Sequence, residues 1–331
     1  MSKKRALILA PFTAAGLASL NGQVDVVYES WMETRRLQDP EALAQRLRDQ
    51  HIEILLVESD FVFEEIFEGA PDLNFVGVCR GATHQVDIEA ATAHGVLLVN
   101  TPGRNAQAVA EHALGLMLAL ARRIPDAHAM VVEGRWDDPV SPYINMRGIE
   151  LDRKTLGIFG LGVIGQRLAA LGSAMGMIPV AYDPHVVNPP YDVALLSLED
   201  VLSTADFFVI HAPLTDETEG AIDQTRLATM KPTAYLVNLS DAAIVSESAL
   251  VTALQSGRLA GAAMDVYVSH PVPPNSALLS LDNVVLTPHI GGATAETVER
   301  HSQMMSEDIL RWIAGERPVH LVNTAVWHAG G

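Results

Sequence analysis

The segment GLGVIG contains three glycines, Gly160, Gly162 and Gly165, in the G-x-G-x-x-G spacing of a dinucleotide-binding turn. An apolar run ends at the first glycine, and a helix-like segment begins after the second. In that context the first glycine permits a tight turn, the second lets backbone N–H groups approach a pyrophosphate, and the third lets helix and strand pack closely. The spacing predicts a phosphate-binding turn; a packing turn without a ligand is the alternative.

A carboxylate follows this turn, at the end of the next predicted strand. This residue, Asp183, lies 18 residues after Gly165. A carboxylate there accepts hydrogen bonds from a ribose 2′-hydroxyl and repels a 2′-phosphate, so it favours NAD over NADP. No metal is predicted beside this cofactor, because the twelve histidines are scattered and the single cysteine, Cys79, has no partner.

Polar residues also lie at or just after the carboxyl ends of the other predicted strands of this region: His211, Asn238, Asp241, Asp265 and His289. Ligands of open α/β sheets bind at the carboxyl ends of the strands, so these side chains are expected to face a ligand. A histidine there can exchange a proton with a hydroxyl or a ketone, since its ordinary pKa is about 6.5. For His289, a strand-end histidine bonded to the backbone is the alternative.

Two series of short apolar runs alternate with helix-like segments and must position these residues. Such alternation is typical of parallel sheets covered by helices on both faces, and the six strands of the second series suit a Rossmann sheet. A nearly all-apolar helix over 106–123 is predicted to be buried between two domains, and an amphipathic helix covers 295–316. The predicted strands are 6–10, 24–30, 52–58, 73–79 and 95–100, then 155–160, 179–183, 206–210, 234–239, 260–266 and 283–289.

Composition excludes several classes of protein. The chain has 331 residues, of which 49% are hydrophobic, enough for two domains with cores. Its net charge of −18, from 40 acidic and 22 basic residues, argues against nucleic acid or an anionic membrane as partner. No apolar run reaches 18 residues, and the start lacks a signal-peptide pattern. We therefore expect no membrane span, and the single cysteine favours a reducing cytoplasm.

Several longer segments resemble one family in order and spacing: TLGIFGLGVIGQRLA, AYDP, HAPLTDETEG, ALVTALQSGRLAGAAMDV and NVVLTPHIGGAT. They are similar to the D-isomer-specific 2-hydroxyacid dehydrogenases, and GVLLVNTPGRNAQAVAEHALGLMLALAR resembles the family's interdomain segment. The resemblance implies an α/β fold of two Rossmann-like domains with the active site in the cleft between them. It implies a flavodoxin-like substrate domain, 1–103 plus 290–331, a Rossmann NAD-binding domain, 104–289, and a homodimer joined through the NAD domains.

The resemblance also implies where ligands bind. In the family, backbone N–H groups of the loop after the fourth strand help to hold a substrate carboxylate. Arg80 in that loop is the best candidate cation, with a surface salt bridge as the alternative. The implied substrate-binding residues are Arg80, Gly81, Ala82, Thr83, His84 and Asn105. The implied cofactor-binding residues are Gly160, Gly162, Val163, Ile164, Gly165, Asp183, His211, Ala212, Pro213, Thr218, Asn238, Leu239, Ser240, Asp265, His289 and Gly291.

The catalytic residues depart from the family pattern. Members carry an Arg that grips the substrate carboxylate, a Glu that orients a His, and the His as acid/base. This chain keeps His289 but has Asp241 at the Arg position and His270 at the Glu position. A substrate carboxylate about 4 Å from Asp241 would be repelled by roughly 4 kcal/mol at an effective dielectric constant near 20. The hypothesis is a trio in which Asp241 pairs with one histidine while the other moves the proton.

The sequence thus predicts an NAD-dependent oxidoreductase that acts on the CH–OH group of a small polar hydroxy compound or sugar acid. Two alternatives stay open. One is an NAD-binding regulator that has lost catalysis. The other is an isomerase, lyase or hydrolase that uses tightly held NAD for transient oxidation.

Overall fold

The computed structural model describes residues 3–327, which divide into two compact units. Unit 1 contains the residues up to Asn105 and those from Thr294 onward, and unit 2 runs from Ala106 to Ala293. The predicted boundaries were 103/104 and 289/290, and the assignment of a substrate-binding role to the first unit stays a prediction. Each unit is built on its own parallel sheet.

The strands of unit 1 form a five-stranded sheet of order β2-β1-β3-β4-β5 in which every pair is parallel. This is the flavodoxin-like order. All residues of β3 and β4 are buried, as expected for central strands covered on both faces. The strands are β1 (Lys4–Ile8), β2 (Val24–Tyr28), β3 (Ile54–Val57), β4 (Phe75–Val78) and β5 (Leu97–Asn100).

The strands of unit 2 form a seven-stranded parallel sheet of order β12-β11-β10-β9-β6-β7-β8. The six strands from β8 to β11 follow the Rossmann order, and β12 extends the sheet by one strand. The chain first adds β7 and β8 on one side of β6 and then continues with β9 on the other side. Six strands were predicted; β8 was missed because two residues are too short to show a periodic pattern. The strands are β6 (Thr155–Phe159), β7 (Ile178–Tyr182), β8 (Ala194–Leu195), β9 (Phe207–Ile210), β10 (Tyr235–Asn238), β11 (Gly261–Met264) and β12 (Val284–Leu286).

Helices cover both sheets, and their starts follow local capping rules. For example, Asp39 accepts the Ala42 N–H at the start of α3, and Pro40 occupies the first helical position. The helices are α1 (Ala14–Leu20), α2 (Trp31–Thr34), α3 (Pro40–Asp49), α4 (Glu64–Gly69), α5 (Ile88–Ala93), α6 (Ala106–Arg122), α7 (Ile124–Val132), α8 (Ser141–Asn145), α9 (Val163–Ala174), α10 (Leu198–Thr204), α11 (Gln224–Leu227), α12 (Glu247–Gln255) and α13 (Ala295–Ile313).

The two long helices of the sequence-based prediction are both present. Helix α6 packs on α9 and on β10, β11 and β12 of its own unit, which accounts for its apolar composition. Helix α13 returns to unit 1, where it packs on α1. The described residues also include three 3₁₀ helices, Ala242–Ile244, Ala277–Ser280 and Thr324–Val326. Within residues 3–327, no helix combines the length and the apolarity needed to cross a bilayer.

Candidate active site

The glycine turn of unit 2 has the geometry that its spacing predicts. Gly160 lies just after β6 with a φ of 95°, and a Cβ there would lie 2.4 Å from the Ala212 backbone nitrogen. At Gly165 a Cβ would lie 2.2 Å from the Gly160 carbonyl oxygen, so neither position admits a side chain. A Cβ at Gly162 would meet open space. At Gly162, at the N-terminus of α9, no side chain covers the backbone, so a ligand can approach it.

This turn fits the pyrophosphate of a dinucleotide. Gly162 caps α9 without any side-chain hydrogen bond, which leaves the first N–H groups of the helix for a ligand. Asp183, after β7, is held against the turn, since it accepts the N–H groups of Leu161 (2.8 Å) and His185 (2.9 Å). The backbone N–H groups of Val163 and Ile164 would therefore bind the pyrophosphate, and the Asp183 carboxylate would bind the ribose.

The remaining predicted cofactor residues lie at or after the carboxyl ends of β9, β10, β11 and β12, on the same edge of the sheet. The Ser240 hydroxyl donates to the Ala212 carbonyl and thereby joins the ends of β10 and β9. Both ring nitrogens of His211 are buried, with no hydrogen-bond partner among residues 3–327. Burial lowers the pKa of His211 to about 4, so its ring is neutral at neutral pH.

Two histidines meet at the carboxyl ends of neighbouring strands. His270 follows β11, His289 follows β12, and Nε2 of His270 lies 3.1 Å from Nδ1 of His289. The ring centroids are 5.1 Å apart. Tyr267 packs edge-on against His270 with a centroid distance of 5.9 Å. The two rings are therefore within hydrogen-bond distance of each other.

The loop that carries His289 is fastened by one buried carboxylate. Asp265 accepts hydrogen bonds from the Thr287 hydroxyl (2.6 Å) and from the N–H groups of Ile290 (2.9 Å) and Gly291 (2.8 Å). His112 of α6 lies 3.6 Å from the same carboxylate. Burial opposes ionisation, but these hydrogen bonds outweigh it and lower the pKa of Asp265 to about 2. Asp265 therefore positions the loop as an anion.

The backbone of His289 adopts an uncommon conformation. Its φ is 57°, in the left-handed region that few residues other than glycine occupy. Such conformations persist only where the surroundings enforce them, and they are concentrated at functional sites. The surroundings include Tyr267, whose hydroxyl donates to the carbonyls of Met264 (3.0 Å) and Thr287 (2.9 Å). The sequence interpretation missed Tyr267, Thr287 and His112, since no local motif marks a residue that braces a loop.

Asp241 follows β10 on the same edge and makes local hydrogen bonds. Its Oδ1 accepts the Ala243 N–H (2.9 Å) and caps the 3₁₀ helix Ala242–Ile244. Asn238, which is fully buried, donates from its side chain to the Asp241 carbonyl (2.8 Å). Of the trio in the sequence-based hypothesis, the structure brings the two histidines together, whereas the hydrogen bond of the Asp241 carboxylate is to its own loop.

Arg80 lies in unit 1, in the loop after β4. This loop is tied to β5, because Asn100 donates to the Gly81 carbonyl (2.6 Å) and Thr101 donates to the Arg80 carbonyl (2.9 Å). The N–H groups of residues 81–84 donate to no group in the described part of the chain. The protein around the Arg80 guanidinium desolvates it and lowers its pKa; Glu58 opposes that shift and Arg104 adds to it.

A buried polar network lies beside Arg80 in the same unit. Arg104 donates to Glu58 (2.5 Å) and to Nδ1 of His301 (2.5 Å). Nε2 of His301 lies 2.6 Å from the Pro11 carbonyl oxygen, which can only accept, so His301 carries its proton on Nε2. Burial is the largest cause that lowers the pKa of His301 to about 4. Glu58 is thus ion-paired to Arg104, and Arg80 forms no ion pair within residues 3–327.

The parallel sheets and the glycine turn are typical of a dinucleotide-binding protein, and comparison with known proteins identifies the family. Residues 114–291 match the NAD-binding domain of the D-isomer specific 2-hydroxyacid dehydrogenases. A glyoxylate reductase of Thermofilum pendens is 36% identical over 98% of this chain and 96% of its own length. A D-3-phosphoglycerate dehydrogenase of Mycobacterium tuberculosis is 38% identical over 95% of this chain, which spans 57% of that protein.

Structural comparison agrees. The crystal structure of the TT0316 protein from Thermus thermophilus superposes with a TM-score of 0.85 and 34% identity, over 96% of this chain and 99% of that one. The chain therefore belongs to the D-isomer-specific 2-hydroxyacid dehydrogenase family. The two-domain α/β fold, NAD as cofactor and the class of dehydrogenases that act on CH–OH groups are thereby confirmed. Among residues 3–327, no three His, Cys, Asp or Glu side chains cluster as metal ligands would.

Proposed function

We propose that this dehydrogenase acts on a small polar hydroxy compound, a sugar acid being one candidate, with His270 and His289 in place of the family's Glu–His pair. The observation that carries the proposal is the 3.1 Å contact between the two rings at the cofactor edge of the sheet. A proton acceptor must lie there for an alcohol to become a carbonyl. The Asp265 carboxylate, which holds the loop, and the left-handed backbone of His289 support a defined position for the His289 ring.

The residues of this chain would divide the reaction as follows. NAD held at the glycine turn supplies the hydride acceptor in oxidation and, as NADH, the donor in reduction. His289 takes the substrate hydroxyl proton while the C–H hydride departs, so one alcohol yields one carbonyl, one reduced cofactor and one proton. His270, whose Nε2 lies 3.1 Å from Nδ1 of His289, orients the ring of His289. In reduction the same proton returns to the carbonyl oxygen.

We also assign to Arg80 the binding of an anionic substrate group, where the substrate has one. Arg80 forms no ion pair within residues 3–327, and the backbone N–H groups of the next four residues donate to nothing in the same part of the chain. Successive free N–H groups beside a cation form an anion-binding concavity. The predicted contributions of His84 and Asn105 belong to the same proposal.

We further propose that the protein is a homodimer joined through unit 2. Helix α7 is described completely, and none of its residues is buried. Large apolar side chains on α7 and after it are exposed, and we call them the α7 surface: Ile124, Val131, Val132, Trp136, Val140, Tyr143 and Ile144. An apolar surface of this extent is typical of a contact between subunits. The cytoplasmic location stays a prediction.

The test of the proposed reaction is NADH formation over a panel of hydroxy acids, polyols and amino alcohols. His289→Asn removes the acid/base group, and Asn tolerates the left-handed backbone at this position. We expect kcat to fall by a factor on the order of 10³ while NADH binding, followed by fluorescence, is retained. His185→Asn, at an exposed histidine after β7, is the matched control and should keep full activity.

Other outcomes separate the alternatives. Full activity in His289→Asn would remove this histidine from the mechanism. NAD binding without turnover of any compound would favour a regulator. Turnover without net NADH formation would favour an isomerase, lyase or hydrolase with transient oxidation.

A further inference from the structure

We propose that Asp241 binds a protonated amino group of the substrate, so that the substrate class is an amino-substituted alcohol and its carbonyl counterpart. This inference rests on the proposed dehydrogenase function and names the substrate group that one side of the site recognises. It starts from the position of Asp241, which follows β10 in the strand order β12-β11-β10. The histidine pair follows the other two of these strands.

The carboxylate of Asp241 is held in place through one oxygen. Its Oδ1 is committed to the Ala243 N–H at 2.9 Å, and its backbone is held by the buried Asn238 side chain. Within residues 3–327, no backbone N–H, hydroxyl, amide, Lys or Arg donates to Oδ2, and the residue is only partly exposed. The second carboxylate oxygen is thus positioned for a ligand.

No strong base in the described chain compensates the charge of Asp241. No Lys or Arg within residues 3–327 forms an ion pair with it. The segments 238–245, 264–272 and 286–293, which form this edge, contain no Lys or Arg. The neighbouring anion, Asp265, is by contrast satisfied by hydrogen bonds and by His112. Asp241 therefore gives this edge a negative charge that a cationic ligand would complement.

A negative charge at this place selects the ligand group. A carboxylate would be repelled, and a neutral hydroxyl could donate one hydrogen bond but would leave the charge uncompensated. A primary ammonium group donates up to three hydrogen bonds and neutralises the carboxylate, which makes a charge-assisted pair. The ammonium group is therefore the group that Asp241 favours.

The experiment uses three compounds that share a three-carbon skeleton and a secondary hydroxyl at carbon 2. They are 1-amino-2-propanol, 1,2-propanediol and lactate, which present an ammonium, a hydroxyl and a carboxylate at carbon 1. Asp241→Asn removes the charge and keeps an oxygen for the Ala243 N–H, since Asn and Asp cap equally well. Asp223→Asn is the control, because Asp223 is an exposed cap that accepts the Arg226 N–H (2.8 Å) at the start of α11.

For the full-length NAD-loaded enzyme, we expect kcat/KM to be highest with 1-amino-2-propanol. In Asp241→Asn it should fall by about 30-fold or more with the amino alcohol and by less than about threefold with the diol. Asp223→Asn should match the wild type with all three compounds. A wild-type preference for the diol or lactate, or an equal effect of Asp241→Asn on all three, overturns the inference and leaves the dehydrogenase function standing.

Calorimetry of the NAD complex decides the case in which no compound is oxidised. Binding of 1-amino-2-propanol that is weakened in Asp241→Asn and unchanged in Asp223→Asn would support the ammonium site, and the proposed reaction alone would be in doubt. Absence of binding to the wild type would overturn the ammonium site itself.

Discussion

At the scale of single residues, we propose that the site departs from the family pattern at two positions, with Asp241 in place of an Arg and His270 in place of a Glu. A Glu beside the catalytic His stabilises the imidazolium form, whereas a second imidazole at 3.1 Å competes for the same proton. An Arg offers a fork for a carboxylate, whereas Asp241 offers an anion. On this proposal, the two exchanges together change the proton affinity of the site and the charge of the group that it accepts.

The proton affinity can be tested by restoring the family's residue. In His270→Glu the carboxylate would stabilise protonated His289 and raise its pKa, so carbonyl reduction should extend to higher pH by about one unit. The pH profile of kcat/KM for reduction measures this shift. His270→Gln, which has similar size and no charge, is the control. If both variants give the same profile, the charge at position 270 does not control His289.

The second residue-scale prediction concerns substrate choice. Asp241→Arg combined with His270→Glu restores the family's charge pattern, and we expect pyruvate reduction to rise at least tenfold above the wild type, on the order of one charge-assisted pair. The measurement is NADH oxidation with pyruvate at saturating cofactor. Asp241→Arg alone should give less, because the proton donor is unchanged. No gain in the double variant would mean that other residues of the site also differ from the family.

At the scale of elements, β10, β11 and β12 are neighbours in the sheet, and Asp265 links the carboxyl end of β11 to the loop after β12. Its carboxylate after β11 receives three hydrogen bonds from the loop after β12. The ionised carboxylate can accept all three hydrogen bonds. The amide of an Asn at this position would place its NH₂ group, which can only donate, against one of these donors. The charge of Asp265, as well as its shape, holds His289.

Replacing this carboxylate should therefore impair catalysis. In Asp265→Asn we expect kcat to fall on the order of 10²-fold through misplacement of His289. The variant should also lose acid-sensitive stability. Because the pKa of Asp265 is lowered to about 2, its ionised form stabilises the fold by roughly 2 kcal/mol at pH values above the pKa of Asp in the unfolded chain. This stabilisation is lost as the pH falls toward 2. Urea unfolding at about pH 5 and about pH 2.5, together with kcat, measures both effects.

A matched control exists in unit 1. Asp308 is equally buried and accepts the N–H groups of Val319 (2.5 Å) and His320 (3.1 Å). Asp308→Asn should lower stability without the loss of kcat. An equal loss of kcat in both variants would show that lower stability, and not the loop, explains the effect.

At the scale of the whole molecule, proton uptake on unfolding shapes stability. His211 in unit 2 and His301 in unit 1 have pKa values lowered to about 4, so the folded chain keeps both neutral at neutral pH. The unfolded chain protonates them below about pH 6.5. Because the unfolded state binds more protons between these values, stability falls as pH decreases from about 6.5 to about 4.

His211→Phe should remove its share of this acid sensitivity. Between about pH 7 and about pH 5 we expect the wild type to lose about 2 kcal/mol through His211 that the variant retains. Urea unfolding of the cofactor-free protein at the two pH values gives the difference. His185→Phe, at an exposed histidine, should leave the wild-type difference unchanged. The same acid sensitivity in His211→Phe would show that this ring is not kept neutral by burial.

Subunit association is the other prediction at this scale. Val132 and Ile144 on the α7 surface are 70% and 60% exposed, so charges introduced there should weaken a dimer and leave the fold intact. In Val132→Glu with Ile144→Glu we expect monomers by analytical ultracentrifugation where the wild type sediments as a dimer. Val187→Glu, at an 83% exposed residue elsewhere in unit 2, is the control. A monomeric wild type would contradict the proposed dimer.

The sequence by itself determined the fold class and the cofactor turn. Apolar runs of strand length, helix-like segments and the glycine spacing are local patterns, and each is dictated by the backbone geometry that it permits. Gly160 and Gly165 must lack side chains because neighbouring backbone atoms occupy the space that a Cβ would need. The G-x-G-x-x-G spacing therefore shows this steric requirement in the sequence itself. The two-residue strand β8 was beyond this reasoning because it has no room for a pattern.

Only the tertiary structure decided how closely the polar side chains meet and which hydrogen bonds they form. His270 and His289 come together because β11 and β12 are neighbours and because His289 adopts a left-handed backbone, neither of which a local pattern specifies. Asp241 follows the adjacent strand, yet its carboxylate accepts the Ala243 N–H of its own loop. The family resemblance implied that His270 lies beside His289, but the distances and the backbone conformation at strand ends depend on the loops, which the sequence alone constrains too weakly to predict.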